Sequence, residues 1–444
     1  MLTRINAYDI IYIAIKGNII CKSINDVGGD MEKQCVKLGI GFVTGRPNAC
    51  EIINKYHKKI LEQVKKFHKE VSVTIFILYD IRYQQTEEAD FYKLEPQVYK
   101  ELNVKYITPE NIEEDKKILK GRYDFSNKEV NYILGHGHAK GRNTLMYYAL
   151  KKKMDYLLFW DDDEYPVACL KDENGDVNWK EQDNILKHLE AIEEADISIG
   201  YHCGYISPIP YLELDEEIDE TVFKSYIEAV SNEIVDWNSI KTIMKVNNGV
   251  TYANPDIANG NGEYEIGLER GKKWVAGSTL CVNLRNINKI PAFYNPPDAR
   301  GEDTFFSMML DDCKVIKTPL YHFHDGFLKY KGIMSGKYPK RLRKIESKDE
   351  NVGQRFLKAS AGWLKYKPLL LYIQNKKNYK YEIQKMKDNL EISTPVLERI
   401  FPGMSFKQLL ELLKQYDEGV QKHYKEFIET NKVWNKIKSN ICNF

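Results

Sequence analysis

Four consecutive acids, Asp161-Asp162-Asp163-Glu164, close an apolar stretch running from Tyr156 to Trp160. Carboxylates crowded at the end of a buried strand repel one another and lose hydration, a cost that a bound cation removes. Hard divalent cations such as Mg2+ or Mn2+ take oxygen ligands, usually one or two protein carboxylates together with substrate phosphates. Strand ends are also where open α/β sheets hold ligands. The plainer alternative is a solvated acidic turn that caps a helix. A second acid pair, Glu302-Asp303, precedes Phe305, Phe306, Met308 and Met309, which read as a helix core. Acids in that place either do proton chemistry or simply favour the helix dipole. His136 and His138 are closely spaced, but Gly135, Gly137 and Gly141 make their segment a loop and no third ligand is near, so a metal knuckle is rejected there.

These residues need strands and helices to position them. Leu38 to Val43 reads as a strand ending at Thr44-Gly45-Arg46-Pro47. Asn48, with Glu51 three residues on, predicts a capping box for a helix whose inner face is Ile53, Tyr56, Ile60, Val64 and Phe67. Val71 to Leu78 is a nearly continuous apolar run ending in Tyr79-Asp80, the pattern of a strand buried on both faces of a parallel sheet. Repetition of this unit predicts an α/β doubly wound domain. Phe91 to Glu129 reads as surface helices and loops. Further expectations are a helix with Leu145, Tyr148 and Ala149 inward, a helix over 185–195 and strands over 197–201, 274–284 and 315–321. Asn248-Gly249 reads as a hairpin turn. The first 35 residues, with an apolar run from Ile10 to Ile15 and Gly28-Gly29, read as an added strand or hairpin. From Lys329 the composition turns helical, Lys-rich and aromatic, which divides the chain into 1–35, 36–330 and 331–444.

Lys plus Arg number 65 against 64 Asp plus Glu, so no global field draws the molecule to nucleic acid. The eight cysteines contain no Cys-x-x-Cys pair, which argues against zinc ribbons and thioredoxin chemistry and for reduced, buried thiols. No signal-type start and no apolar run of about 20 residues is present, which predicts a cytoplasmic enzyme, either free or peripheral at the inner face of a membrane.

Four matches, in order along the chain, resemble the A-type glycosyltransferases, particularly the large inverting group, like family 2, that includes many bacterial polysaccharide enzymes. Gly141-Arg142-Asn143 with Leu145 and Ala149 is similar to that group's Ala-Arg-Asn helix start, and Tyr156 to Asp163 to its Asp-x-Asp strand. Arg300-Gly301-Glu302-Asp303-Thr304-Phe305-Phe306 is similar to its Glu-Asp motif, and His322-Phe323-His324 to a late histidine that joins the metal in some members. The resemblance spans residues 36–330. It implies a nucleotide-diphospho-sugar transferase fold, a Rossmann-like doubly wound mixed sheet, followed here by an α-helical C-terminal extension. It also implies transfer of a sugar, a hexose first, from a UDP- or GDP-sugar to a hydroxyl of a glycan or glycolipid in polysaccharide biosynthesis, with Mn2+ or Mg2+ as cofactor.

The roles follow. Asp163 is the first metal ligand, Asp161 binds metal or the donor ribose, and Asp162 points to the opposite face of an extended segment and ranks lower on the donor side. His324, ahead of His322, completes the metal shell through a neutral imidazole. Arg142 has the fork geometry to pair with diphosphate, its alternative being a surface helix arginine. The resemblance points to Asp303 as the general base, with Glu302 as neighbour and fallback. Thr44, Gly45 and Arg46 border the nucleotide, Asp80 contacts the base, and Trp274, Gly277 and Ser278 border the acceptor. Thr44-Gly45-Arg46-Pro47 departs from the group's Tyr-Asn-Arg pattern, so donor base and acceptor stay open, as does retaining chemistry.

Two rivals remain. A sugar-nucleotide pyrophosphorylase would carry a Gly-rich nucleotide loop near its N-terminus, which is missing. A non-catalytic scaffold would have no need of the set Asp161, Asp163, Asp303 and His324. In the last segment, Lys337, Lys340, Arg341, Arg343 and Lys344 accompany Phe356, Leu357, Trp363, Leu364, Leu369, Leu370 and Tyr372. That pairing reads either as a membrane-surface anchor or as a helical subdomain with a solvated basic face.

Overall fold

The computed structural model describes residues 35–441, apart from 85, 206–207, 214–218 and 232–235. The expected N-terminal strand or hairpin lies outside the described residues.

The chain is α/β, built on a mixed sheet of nine strands. Strand β1 (Val36–Thr44) is followed by helix α1 (Asn48–Lys66), β2 (Val71–Tyr79), β3 (Asn103–Ile107), α2 (Pro109–Tyr123), α3 (Asn127–Ile133) and α4 (His138–Lys151). Then come β4 (Tyr156–Phe159), the two-residue β5 (Glu164–Tyr165), the hairpin β6 (Val167–Lys171) and β7 (Val177–Glu181), α5 (Asn184–Ile192) and β8 (Ile197–Tyr205). Helices α6 (Glu220–Val230) and α7 (Trp237–Asn247) lead to β9 (Tyr264–Glu265), β10 (Leu280–Asn283), α8 (Glu302–Ser307) and β11 (Val315–Asp325). Four helices follow: α9 (Val352–Gln374), α10 (Tyr379–Ile400), α11 (Gln408–Glu418) and α12 (Val420–Ile441).

The sheet runs β3-β2-β1-β4-β10-β8-β11-β5, with β9 also on β11. β1 lies parallel to β2 and β4, while β10 is antiparallel to both its neighbours. The chain steps outward from β1 to β2 and β3, then returns to add β4 on the other side of β1. The β1/β4 boundary is therefore the switch point of the sheet, and the crevice outside the carboxyl ends of these two strands is where such folds receive ligands. Thr44 to Arg46 and Asp161 to Asp163 both emerge there.

Two glycines seat α4 on this crevice. A Cβ on Gly41 would meet Leu145 Cδ1 at 2.7 Å, and one on Gly141 would meet Val43 Cγ1 at 2.5 Å. Helix and strand thus touch backbone to side chain, which delivers Arg142 to the end of β4.

Several expectations change. Asn48 does not cap α1: Pro47 is the N-cap and makes no side-chain cap bond, while Asn48 accepts from Lys331 Nζ at 3.4 Å. Asn248-Gly249 is not a hairpin turn but the C-terminal stop of α7, with φ of +55° and +84°. Both motifs need left-handed residues, so the dipeptide alone does not choose between them. The polar stretch 91–129 contains β3, whose one-sided burial at the sheet edge gives it no apolar run. Within 274–284 only Leu280–Asn283 is strand, and α8 spans only Glu302–Ser307, leaving Met309 exposed.

Helices α9 to α12 pack on the rest of the described chain. Trp434 Nε1 donates to Ile290 O at 3.0 Å, and Tyr366 lies edge-on to Phe305. Phe356, Leu364, Leu369 and Leu370 are buried, and Leu357, Trp363 and Tyr372 pack against the same clusters. These side chains face protein. No helix among the described residues is long and apolar enough to cross a membrane. Five described cysteines are buried and Cys35 is half-buried, all as free thiols.

Candidate functional site

At the β1/β4 crevice the acidic run meets two arginines. Thr44 Oγ1 and Arg46 Nη2 both donate to Asp162, and Arg46 Nη2 also reaches Asp163 Oδ2 at 2.9 Å. Thr44 Oγ1 accepts from Arg46 N at 2.9 Å, so the turn that ends β1 is locked onto the acids by its own backbone. Asp162 is buried, and burial pushes its carboxyl up against the pull of Arg46. Burial acts on Asp163 in the same sense, but Arg46 and then His324 outweigh it and hold that carboxyl below its ordinary value. Asp161 turns the other way, to Arg142 Nη2 at 3.3 Å, and its side chain keeps 35 % exposure. Its carboxyl is raised to about 6, by burial first and by Glu164 and Asp163 after it, with Arg142 opposing.

β11 brings the histidines. Its tail pairs with β5, setting His324 opposite Glu164 and Phe323 opposite Tyr165, and Asp325 N donates to Asp163 O at 3.0 Å. His324 Nε2 then stands 3.7 Å from Asp163 Oδ1. Burial would lower this imidazole, but Asp163 raises it to about 9.

His322 does not join that pair. It is buried under Trp160, with Nδ1 at 3.2 Å from Glu164 Oε2 and Nε2 at 3.3 Å from Asn184 Nδ2. Glu164 is the centre of a network that its place in the sequence does not reveal. Ser278 Oγ donates to Oε1 at 2.5 Å, and His202 Nε2 lies 3.0 Å from the same oxygen. Burial opposes its charge, yet His202 and then His322 hold the carboxyl well below its ordinary range. Ser278, expected on the acceptor side, points into this network. Only the tertiary pairing of β5, β8 and β11 brings these residues together. Glu164→Gln is expected to lower the unfolding free energy by about 3 kcal/mol, because removing one partner leaves buried donors uncompensated; equilibrium urea denaturation measures it.

Arg142 links the acidic run to Glu302 and Asp303, which open α8. Asn143 fixes the approach to them: Nδ2 donates to Phe293 O and Oδ1 accepts from Phe293 N, both at 2.8 Å. Gly301, at φ +89°, admits the Tyr366 ring, which a Cβ there would meet at 2.6 Å. Asp303 Oδ1 accepts from Thr304 N at 2.8 Å. Burial, and then the charge of Glu302, push the Asp303 carboxyl up to about 7. On Glu302 burial acts in the same direction, but His138 and Arg142 prevail and keep it below its ordinary value. The two acids are thus separated by environment into an ionised neighbour and a group titrating near neutrality, the pattern of an acid/base pair.

Arg142 is not the surface arginine that helix position alone allows. It is 6 % exposed, lies over the Phe159 and Phe293 rings, and spans Asp161 and Glu302, with Nε 3.5 Å from the latter. Gly277 makes room for it, since a Cβ there would stand 2.7 Å from Nη2. Gly277, expected on the acceptor side, packs against Arg142.

The remaining candidates ring this centre. Asp80 is held by Arg82, with Nε at 2.9 Å. Gly45 lies under Tyr83, whose ring carries Lys358 of α9 at 4.8 Å. Trp274 is half-buried beneath Lys272. Arg355, also on α9, donates to Gly326 O and acts electrostatically on Arg46 and Asp163; nothing near it in sequence pointed to that role.

Among the described residues no group of three or more His, Cys, Asp or Glu side chains is placed to hold a metal ion. Arg142 draws Asp161 aside, which leaves one carboxylate oxygen and one imidazole facing each other. Such an oxygen and nitrogen pair suits Mn2+ or Mg2+ only where substrate oxygens supply the other ligands.

No protein-family model matches this sequence, and no curated protein matches it. The chemistry of the site rests on its own geometry.

Proposed function

We propose that the chain is a glycosyltransferase of the A-type fold that moves a sugar from a nucleotide-diphospho-sugar to a hydroxyl of a glycan or glycolipid with inversion. The observation that carries this reading is the meeting of two acid groups at one buried arginine: Arg142 stands 3.3 Å from Asp161 of the acidic run at the sheet's switch point and 3.5 Å from Glu302 of the Glu302-Asp303 pair. The nucleotide would lie along Thr44, Gly45, Arg46 and Asp80, at the carboxyl ends of β1 and β2.

In the reaction the acceptor oxygen attacks the anomeric carbon as the bond to the diphosphate oxygen breaks, and the hydroxyl proton passes to Asp303. A base whose pKa lies near the working pH is best suited to that transfer. Glu302, held ionised, keeps Asp303 basic. Asp163, and His324 once it has given up its proton, would hold the Mn2+ or Mg2+, with donor phosphates completing its ligands. A cation there supplies positive charge against the departing diphosphate. Arg46 and Arg355 add fixed positive charge at the same end of the crevice.

The test is thermal stability with UDP, GDP, CDP and dTDP, each with and without Mn2+. Ligand at about 100 times its dissociation constant should add about 2.7 kcal/mol to the folded state. The expected result is stabilisation by one nucleotide that depends on the metal. A shift of equal size without metal would mean that Arg46 does the work assigned to the cation. No shift with any of the four would remove the donor reading and favour a scaffold.

A further inference from the structure

Arg142 bridges the two halves of the crevice, and its contacts are unusual for a buried charge. Charge-assisted N–H···O bonds at their optimum measure about 2.7–2.9 Å. Arg142 holds Asp161 at 3.3 Å and Glu302 at 3.5 Å, so neither carboxylate has it fully. Its Nη1 is buried with no hydrogen-bond partner. The guanidinium lies over the Phe159 and Phe293 rings and Gly277 packs against it, so among the described residues its only close acidic partners are the two carboxylates it shares. The acids differ in surroundings. Asp161 reaches the crevice with 35 % exposure, whereas the Glu302 side chain keeps 10 %.

We propose that Arg142 is a shared positioning cation that couples the donor seat to the base: a ligand that engages Asp161 releases Arg142 to Glu302, which settles the Glu302-Asp303 pair for acceptor attack. The coupling to donor rests on the glycosyltransferase reading; the sharing of one cation by two acids does not. Buried cations with two partners tolerate the loss of either one better than the loss of both, since the second loss strands the charge. Coupling between sites is also reciprocal, so a change at Glu302 must be felt by a ligand at Asp161 that Glu302 never touches.

Two measurements test this. Without ligand, the melting temperatures of Asp161→Asn, Glu302→Gln and the double variant form a double-mutant cycle. The double variant is expected to lose more than the sum of the single losses. Additive losses would overturn the sharing, whatever nucleotides do. With ligand, the dissociation constants of UDP, GDP, CDP and dTDP in Mn2+ are measured by titration calorimetry on the parent, Glu302→Gln, Arg142→Lys and their combination. Lysine keeps the charge but its single ammonium cannot span both carboxylates, so it preserves the fold better than a neutral residue and still breaks the bridge. Glu302→Gln, which hands Arg142 to Asp161, is expected to weaken the bound nucleotide about 5-fold or more in the parent and to have no effect in the Arg142→Lys protein. An equal effect in both backgrounds, or none in the parent, would overturn the coupling. Absence of nucleotide binding alongside a non-additive melting cycle would sink the donor reading and leave the shared cation standing.

Discussion

Asp303→Asn should lower the transfer rate about 10²- to 10⁴-fold, the usual worth of a positioned general base, while nucleotide affinity stays within a factor of two or so. Asp303 opens α8, separated by Arg142 from the ends of β1 and β4 where the proposed nucleotide would lie, so on that reading its loss removes an interaction made only in the transition state. The pH dependence follows from the same carboxyl. A base must be ionised to accept a proton, and this one is raised to about 7, so the rate climbs through the neutral range and levels off above it. Stability runs the opposite way. An acid whose folded value lies above its unfolded one binds more protons folded than unfolded, so ionising it costs stability. That cost is absent below about pH 3.9, and it has fully developed once the pH passes about 7. Asp303→Asn should therefore melt higher than the parent at pH 8 and not at pH 4, with the loss of activity and the gain in stability in one variant. A scan of melting temperature against pH, paired with initial rates of sugar transfer to added acceptor, reads both.

Asp163→Asn is expected to abolish the metal-dependent nucleotide shift and to lower the transfer rate at least 10²-fold. Asp163 is the acid at which Arg46 and His324 converge, from opposite oxygens. Its removal takes away one of the two protein atoms that face each other for a cation and leaves Arg46 with Asp162 alone. The sign of its pH effect is opposite to that of Asp303. A carboxyl held below its ordinary value contributes stability that is present above the unfolded value, about pH 3.9, and lost as pH falls through the folded one. The parent should therefore lose stability on acidification below about pH 4 more steeply than Asp163→Asn does. Acid titration followed by circular dichroism distinguishes the two, and equal acid slopes would mean that Asp163 is not held down by Arg46 and His324.

These two variants separate the halves of the crevice. One should bind and fail to react, the other should fail to bind. A protein in which both bind normally would not be using the crevice for a nucleotide.

Local pattern was enough to predict the strands that carry the acids. Apolar runs at 38–43, 71–78 and 156–160 became β1, β2 and β4, because strands buried on both faces announce themselves without alternation. The acid pair at 302–303 and the histidines of β11 stood out through the resemblance of their motifs, not by type. Partnership was not legible. Whether Asp161 turns to a cation or to Arg142, and whether His322 or His324 meets Asp163, depends on which strand lies beside which. The short β5 pairs with the end of β11 across more than 150 residues of chain, and that pairing alone sends His322 to Glu164 and His324 to Asp163. Arg142 shows the same division. Its side chain type suited a phosphate, but two glycine contacts seat α4 so deeply on β1 that the guanidinium is buried between phenyl rings. The apolar strand and its acids were written in the local sequence, and the resemblance of the motifs implied that an arginine, a second acid pair and a histidine would join them. Only the tertiary structure decided which pairs formed, because a buried charge takes the nearest partner that packing leaves it.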